Sequence, residues 1–268
     1  MGRRILIAGC GDLGTRIGLR LAAAGDTVFA LRRRIDALPP ALHPIAADLS
    51  RPVVDLPDGV DALVYCATPD ARDEASYRRV FLTAPSALLS ALPDPPLRVL
   101  FVSSTAVYGE DSGAWVDERT PESPSTFNGR ILLEAERTLA GRVAGCVVLR
   151  CSGLYGPGRE RMLRRARAGE TGSARWSNRI HVDDAAAAAV HLLALDAPMA
   201  CYLGSDDRPE REDHLLAWMR GESIAGADSV QVRGKRIRNL RLRASGFEFS
   251  YPDFRAGWAF SLRPEPAL

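Results

Sequence analysis

An apolar run, Ile5-Leu-Ile-Ala8, opens directly into Gly9-Cys-Gly-Asp-Leu-Gly14, and this junction restricts the chain more than any other stretch. A strand that ends in a glycine turn and continues as a helix can cradle a diphosphate. Gly9 permits the tight turn, Gly11 lets the backbone approach a pyrophosphate, and Gly14 lets the helix pack closely on the sheet. Backbone N–H groups at the helix start, from Asp12 and Leu13, then face the phosphates. Glycine-rich turns also arise by chance, so the surrounding residues carry the weight. Leu13, Ile17 and Leu21 fall four apart on one helical face, Gly25 ends that helix, and Thr27 to Leu31 reads as a second strand. The complete strand, turn, helix and strand unit predicts nucleotide binding.

Strand-like runs recur at Arg3 to Ala8, Thr27 to Leu31, His43 to Ala47, Ala62 to Ala67, Arg98 to Ser103 and Cys146 to Cys151, separated by helical or turn-rich segments. Such alternation predicts an α/β fold of the Rossmann type, a doubly wound parallel sheet with helices on both faces. The dinucleotide-binding domain is expected over residues 1–151. Residues 152–268 are expected to form a smaller substrate lobe interleaved with the last strands of the sheet. That lobe should hold an arginine-rich helix near Arg161 to Ala168 and an alanine-rich helix from Asp183 to Leu195. Near its end, Ile237, Leu240 and Leu242 suggest a short helix stopped at Gly246, with a strand through Phe247 and Phe249.

The 268 residues are 46% hydrophobic and 25% charged, enough for one large core with a smaller lobe, and the formal charge is only +2. That balance argues against a dedicated nucleic-acid binder. Cys10, Cys66, Cys146, Cys151 and Cys201 are odd in number and mostly embedded in apolar runs, which reads as buried thiols and not as bridges or a metal set. A reducing, cytoplasmic location is expected. The first apolar run breaks at Gly9, too early for a signal peptide or a membrane span.

In this fold an acidic residue at the end of the second strand bonds the adenosine ribose, whereas arginine there accepts a 2′-phosphate. This chain has Arg32, Arg33 and Arg34. Guanidinium groups pair with phosphate in bidentate fashion, so NADP is favoured over NAD, the alternative being a solvated basic turn. Asp48 is placed either to accept a hydrogen bond from adenine or to serve as an ordinary turn residue before Ser50-Arg-Pro52.

Taken in order, Gly9 to Gly14, Ala47-Asp-Leu49, Phe101-Val-Ser-Ser-Thr-Ala-Val-Tyr-Gly109, Arg150-Cys-Ser-Gly-Leu-Tyr-Gly-Pro-Gly-Arg159 and Arg179-Ile-His-Val-Asp-Asp184 resemble the extended short-chain dehydrogenases/reductases. These are the NAD(P)-dependent epimerases and dehydratases acting on nucleotide sugars. The resemblance implies that Leu49, Ala67, Ser103, Cys151 and Gly153 lie beside the cofactor, and that Ser104, with Thr105 next to it, bonds a substrate carbonyl or alcohol. It also implies a homodimer. Where family members place an arginine for a nucleotide diphosphate, this chain has Ser177, so Arg175 or Arg179 would substitute.

The family's acid/base pair, a tyrosine with a lysine four residues on, falls on Asn128 and Leu132. Lys235 is the only lysine in the chain and the residue four before it is Gln231, so no realignment restores the pair. Asparagine exchanges no proton near neutrality, and general base catalysis is worth about 10² to 10⁴ in rate. Tyr108, His181, Glu110 and Asp111 are the available replacements. Residues 235–257 look most like a subset of the family that lacks the pair. Two functions follow: a redox enzyme or isomerase using Ser104, Asn128 and an unconventional proton donor such as Tyr108 on a small-molecule substrate, or a non-catalytic NADP-binding protein that presents a cofactor-dependent surface to a protein partner. Neither involves a membrane or nucleic acid.

Overall fold

A computed structural model describes residues 2–53, 55–223 and 232–259. Its central sheet has seven strands. The first five in the chain are β1 (Arg4–Ala8), β2 (Thr27–Arg32), β3 (His43–Ala46), β4 (Ala62–Tyr65) and β5 (Arg98–Ser104). Across the sheet the order is Cys201–Gly204, Cys146–Cys151, β5, β4, β1, β2, β3. The pairs β1–β2, β2–β3, β1–β4 and β4–β5 are all parallel, as expected of a Rossmann sheet. Unbroken apolar runs form its centre because both faces are covered: Ile5, Leu6, Ile7 and Ala8 are each 0% exposed. Chain order reverses at β1, whose neighbours are β2 on one side and β4 on the other, and a crevice opens at the carboxyl ends of strands at such a point.

Helix α1 (Asp12–Ala23) follows β1 and buries Leu13, Gly14, Ile17, Gly18 and Leu21, the face its spacing predicts. A Cβ on Gly14 would lie 2.8 Å from the Gly9 carbonyl and 3.1 Å from Cys66 Sγ, so only glycine allows this approach of helix to sheet. After β4, the helical stretch Glu74–Arg78 widens into one π-turn at Arg79–Thr83 before continuing as Ala84–Ala91. Pro85 supplies the cause, since it lacks the N–H that would bond to the residue four back and its ring crowds that carbonyl. The Val80 carbonyl in the widened turn accepts the buried Tyr65 hydroxyl.

Two compact units emerge, and neither follows a single cut at residue 151. One comprises Met1–Gly109, Glu122–Arg150 and Ala186–Tyr202, the other Glu110–Pro121, Cys151–Ala185 and Leu203–Leu268. In the second, short strands pair as Gly153–Tyr155 with Arg179–His181, Trp176–Ser177 with Glu210–Arg211, and Ser112–Val116 with Gly234–Ile237. Tyr155, Leu163, Leu215, Phe254 and Trp258 form its apolar core. The helices Arg161–Arg167 and Val182–Ala194 stand where the sequence places them. The strand expected through Phe247 and Phe249 does not form, and Ile237 lies in a strand and not in the helix, which is Leu240–Ala244. The next two amides, those of Ser250 and Tyr251, bond at 2.9 Å each to the buried Asp184 carboxylate instead of a neighbouring strand. Asp184→Asn retains the shape but turns one of the two accepting oxygens into an NH2 donor facing a backbone amide, so one bond is lost; it is expected to cost about 1–3 kcal/mol, read as a lowered midpoint in urea.

Candidate functional site

At the carboxyl end of β1 the chain turns at Gly9 with φ +89, a conformation that favours glycine. A Cβ there would lie 2.3 Å from Ala67 Cα and 2.4 Å from Ala67 N. Around Gly11 the situation is reversed, because its Cβ would meet nothing within 4 Å. Gly11 caps α1, whose first-turn amides have no acceptor within the helix. Beside this turn lies a cleft of about 620 Å³, lined by Gly9, Gly11, Arg32, Arg33, Arg34, Asp48, Leu49 and Ala67, with Arg51, Asp70 and Arg79 completing the charged wall. Five arginines against two aspartates make this wall cationic.

Of the residues expected at the cofactor, the cleft therefore collects Gly9, Gly11, Arg32, Arg33, Asp48, Leu49 and Ala67. Asp48 forms a turn, accepting the Ser50 amide at 2.9 Å, and that bond holds its carboxyl below the ordinary range. Asp12, Leu13 and Gly14 do not line the cleft walls; they form the first turn of α1 behind the glycines. Cys151 and Gly153 belong to the second unit. Cys151 is buried, and burial pushes its thiol up to about 12. Burial likewise raises the thiols of Cys10, Cys66 and Cys146. Arg79 and Asp70 gave no signal in the sequence; the π-turn and the loop after β4 bring them to the cleft.

The Ser103 hydroxyl donates to Glu136 Oε1 at 2.5 Å inside the unit, which leaves its backbone as the part that would lie beside a cofactor. Glu136 lies on the helix Phe127–Arg142 and takes Arg150 at 2.6 Å, while Arg150 also bonds Glu122 at 2.7 Å and the Tyr108 hydroxyl at 2.5 Å. Tyr108 is 2% exposed and its hydroxyl accepts from the Arg150 guanidinium; burial raises its pKa by more than that guanidinium lowers it, which makes it a poor proton donor. An arginine inside the apolar run Cys146–Cys151 was the available sign of this network, since a buried cation requires partners.

Ser104 ends β5 with its Oγ accepting the Ala106 amide at 3.2 Å, which starts the short turn Thr105–Val107. Thr105 is buried. The helix Phe127–Arg142 abuts that turn at Gly129, where a Cβ would sit 2.3 Å from the Ala106 carbonyl. Asn128 is therefore held beside the Ser104 turn, while Leu132 and Ile131 point into the core at 4% and 2% exposure.

The second unit engages the remaining candidates. Glu110 accepts the Ser112 hydroxyl and amide, which lowers its pKa. Asp111 bonds Arg175 at 2.7 Å and also Arg233, so Arg175 is neutralised at its own surface. Although burial raises the Asp111 carboxyl, these guanidiniums bring it below the ordinary range. His181 is 2% exposed and stacks 3.7 Å from the Tyr251 ring. Arg179, the other arginine expected at a substrate diphosphate, is 3% exposed, with its guanidinium 5.4 Å from the Phe254 ring. Among the described residues no group of three or more His, Cys, Asp or Glu could hold a metal, and no helix is long and apolar enough to cross a membrane.

The model of the NAD dependent epimerase/dehydratase family matches residues 5–200. Protein YeeZ of Escherichia coli (strain K12) is 31% identical over 271 residues, covering 94% of this chain and 97% of its own. A Methylobacillus flagellatus structure assigned provisionally to the NAD-dependent epimerases/dehydratases is 37% identical, with a TM-score of 0.80 over 97% of each chain. The human epimerase family protein SDR39U1, solved with NADPH, shares the fold at 22% identity and a TM-score of 0.72, over 95% of this chain and 97% of its own.

Proposed function

Because this chain belongs to the NAD dependent epimerase/dehydratase family, we propose that it holds a nicotinamide dinucleotide in the cleft beside Gly9 and Gly11. It acts there as an oxidoreductase or isomerase on a carbonyl or hydroxyl substrate, sugar-like in class, in the cytoplasm. The observation that carries this reading is the open space over Gly11, which any side chain would begin to fill, at the rim of a cationic cleft. The residues fit the group: glycine backbone for the pyrophosphate, the α1 terminus for its charge, and Arg32 and Arg33 for a 2′-phosphate. NADP is accordingly preferred over NAD, a preference that rests on these arginines. When bound, the nicotinamide supplies reversible hydride transfer. Ser104 orients the substrate oxygen from the end of β5, with Asn128 beside it.

A second reading, a cofactor-binding protein without turnover, is favoured by one observation. Leu132, at the position of the family's lysine, is buried in the core, so that position supplies no cation. Such a protein acts by binding oxidised and reduced cofactor with different affinity, since equal affinities shift no equilibrium.

Calorimetric titration with each dinucleotide is the direct test. Arg32→Ala and Arg33→Ala are each expected to weaken NADP about tenfold while changing NAD by less than half that factor; equal losses refute the phosphate role. Nicotinamide absorbance over a panel of aldehydes, ketones and sugars, lost in Ser104→Ala, separates enzyme from sensor.

A further inference from the structure

Arg33 and Asp70 face each other across the cleft. Arg33 follows β2 and Asp70 lies on the loop after β4, and these two strands flank β1 on opposite sides. A bond between them therefore passes over the carboxyl end of β1, where Gly9 begins the cradle. It is bidentate, with Arg33 Nη1 to Asp70 Oδ2 at 2.6 Å and Nη2 to Oδ1 at 2.7 Å. Both side chains line the cleft and are exposed, 59% and 72%, so the pair is reachable by a ligand. The hydrogen bond from Arg33 holds the Asp70 carboxyl below its ordinary range, so Asp70 carries its negative charge at neutral pH.

We propose that Asp70 sets how strongly this cleft distinguishes a dinucleotide bearing a 2′-phosphate from one bearing a 2′-hydroxyl. The inference rests on the dinucleotide reading given above and adds a residue of opposite sign to it. A phosphate takes the Nη1 and Nη2 fork of Arg33 only by displacing the carboxylate that occupies it, and a phosphate bound at another edge of the guanidinium still meets that carboxylate's charge. A ribose hydroxyl needs no guanidinium and leaves the pair intact. Asp70 thus tempers the preference that three successive arginines create.

Asp70→Asn keeps the size of the side chain, removes its charge, and lies on an exposed loop. It is expected to tighten NADP about fivefold, the range of a surface ion pair, while NAD changes by less than about twofold. In the Asp70→Asn background, Arg33→Ala abolishes that gain. The gain also shrinks in concentrated salt, which screens exposed charges. Equal tightening of both dinucleotides, an unchanged affinity ratio, or a gain that survives loss of Arg33 overturns the assignment while leaving the cofactor reading in place. A wild-type protein that binds neither dinucleotide overturns both.

Discussion

Gly9→Ala and Gly11→Ala are expected to part company, the first losing stability and the second losing ligand. At Gly9 the added methyl meets two separate obstacles: φ of +89, and the Ala67 backbone at 2.3–2.4 Å. A left-handed alanine costs about 1–2 kcal/mol, and forcing a methyl into packed backbone about 1–3 more. Urea unfolding should therefore show a loss of about 2–5 kcal/mol. At Gly11, φ is −81 and a Cβ touches nothing, so the unfolding midpoint stays where it is. The same methyl projects into the space assigned to the pyrophosphate and holds it off the backbone, and dinucleotide affinity should fall about 10- to 100-fold. A Gly11→Ala protein that binds as tightly as wild type would remove the pyrophosphate from that space. A Gly9→Ala protein of unchanged stability would remove the steric account of the turn.

Arg150→Met is expected to be the most damaging change outside the cleft. Arg150 and Glu136 are 4% and 5% exposed, and removing the guanidinium leaves a carboxylate in the interior with only Ser103 to serve it. Breaking a buried pair from one side costs about 3–5 kcal/mol, much of it the desolvation of the abandoned charge. Arg150→Lys should recover little, because one ammonium cannot bond Glu136, Glu122 and Tyr108 in the plane a guanidinium spans. Removing both charges together, as Arg150→Met with Glu136→Leu, should restore most of the loss. Acid titration gives a second readout. Burial raises the Glu122 carboxyl, but the bond and charge of Arg150, joined by a backbone hydrogen bond and the charge of Arg137, together outweigh it and the net shift is downward. A carboxyl depressed in the folded state adds stability above its unfolded pKa and loses it as pH falls through the folded value. Arg150→Met should therefore lack that part of the wild-type acid limb.

Much of the fold was legible because local and long-range preferences coincide. The six strand runs read from the sequence lie in the sheet, and all but the exposed edge strand His43–Ala46 do so because an apolar run bounded by turn residues has one stable place in a parallel sheet covered on both sides. Gly9, Gly14 and Gly25 were legible for the same reason, each marking a conformation or a contact that a side chain forbids. Legibility failed where a residue's role depends on a distant partner. Ser103 and Tyr108 lie in a strand-end motif that suggests chemistry, yet Glu136 and, through Arg150 of the strand Cys146–Cys151, Glu122 draw them into a buried ion network. Phe247 and Phe249 alternate as a strand would, but no neighbour offers them an edge, and Asp184 takes the amides that follow.

Backbone conformation and apolar period were thus written in the order of residues, and with them the glycine cradle, the parallel sheet and the loss of the tyrosine and lysine pair. Tertiary structure decided the charges. It set Arg33 against Asp70, turned Arg79 into the cleft, withdrew Arg179 into the second unit's core and paired Arg175 with Asp111. Torsional preference and side-chain period act over a few residues, so sequence displays them. A charge takes its energy from whatever lies within a few ångströms, and only folding brings those groups together.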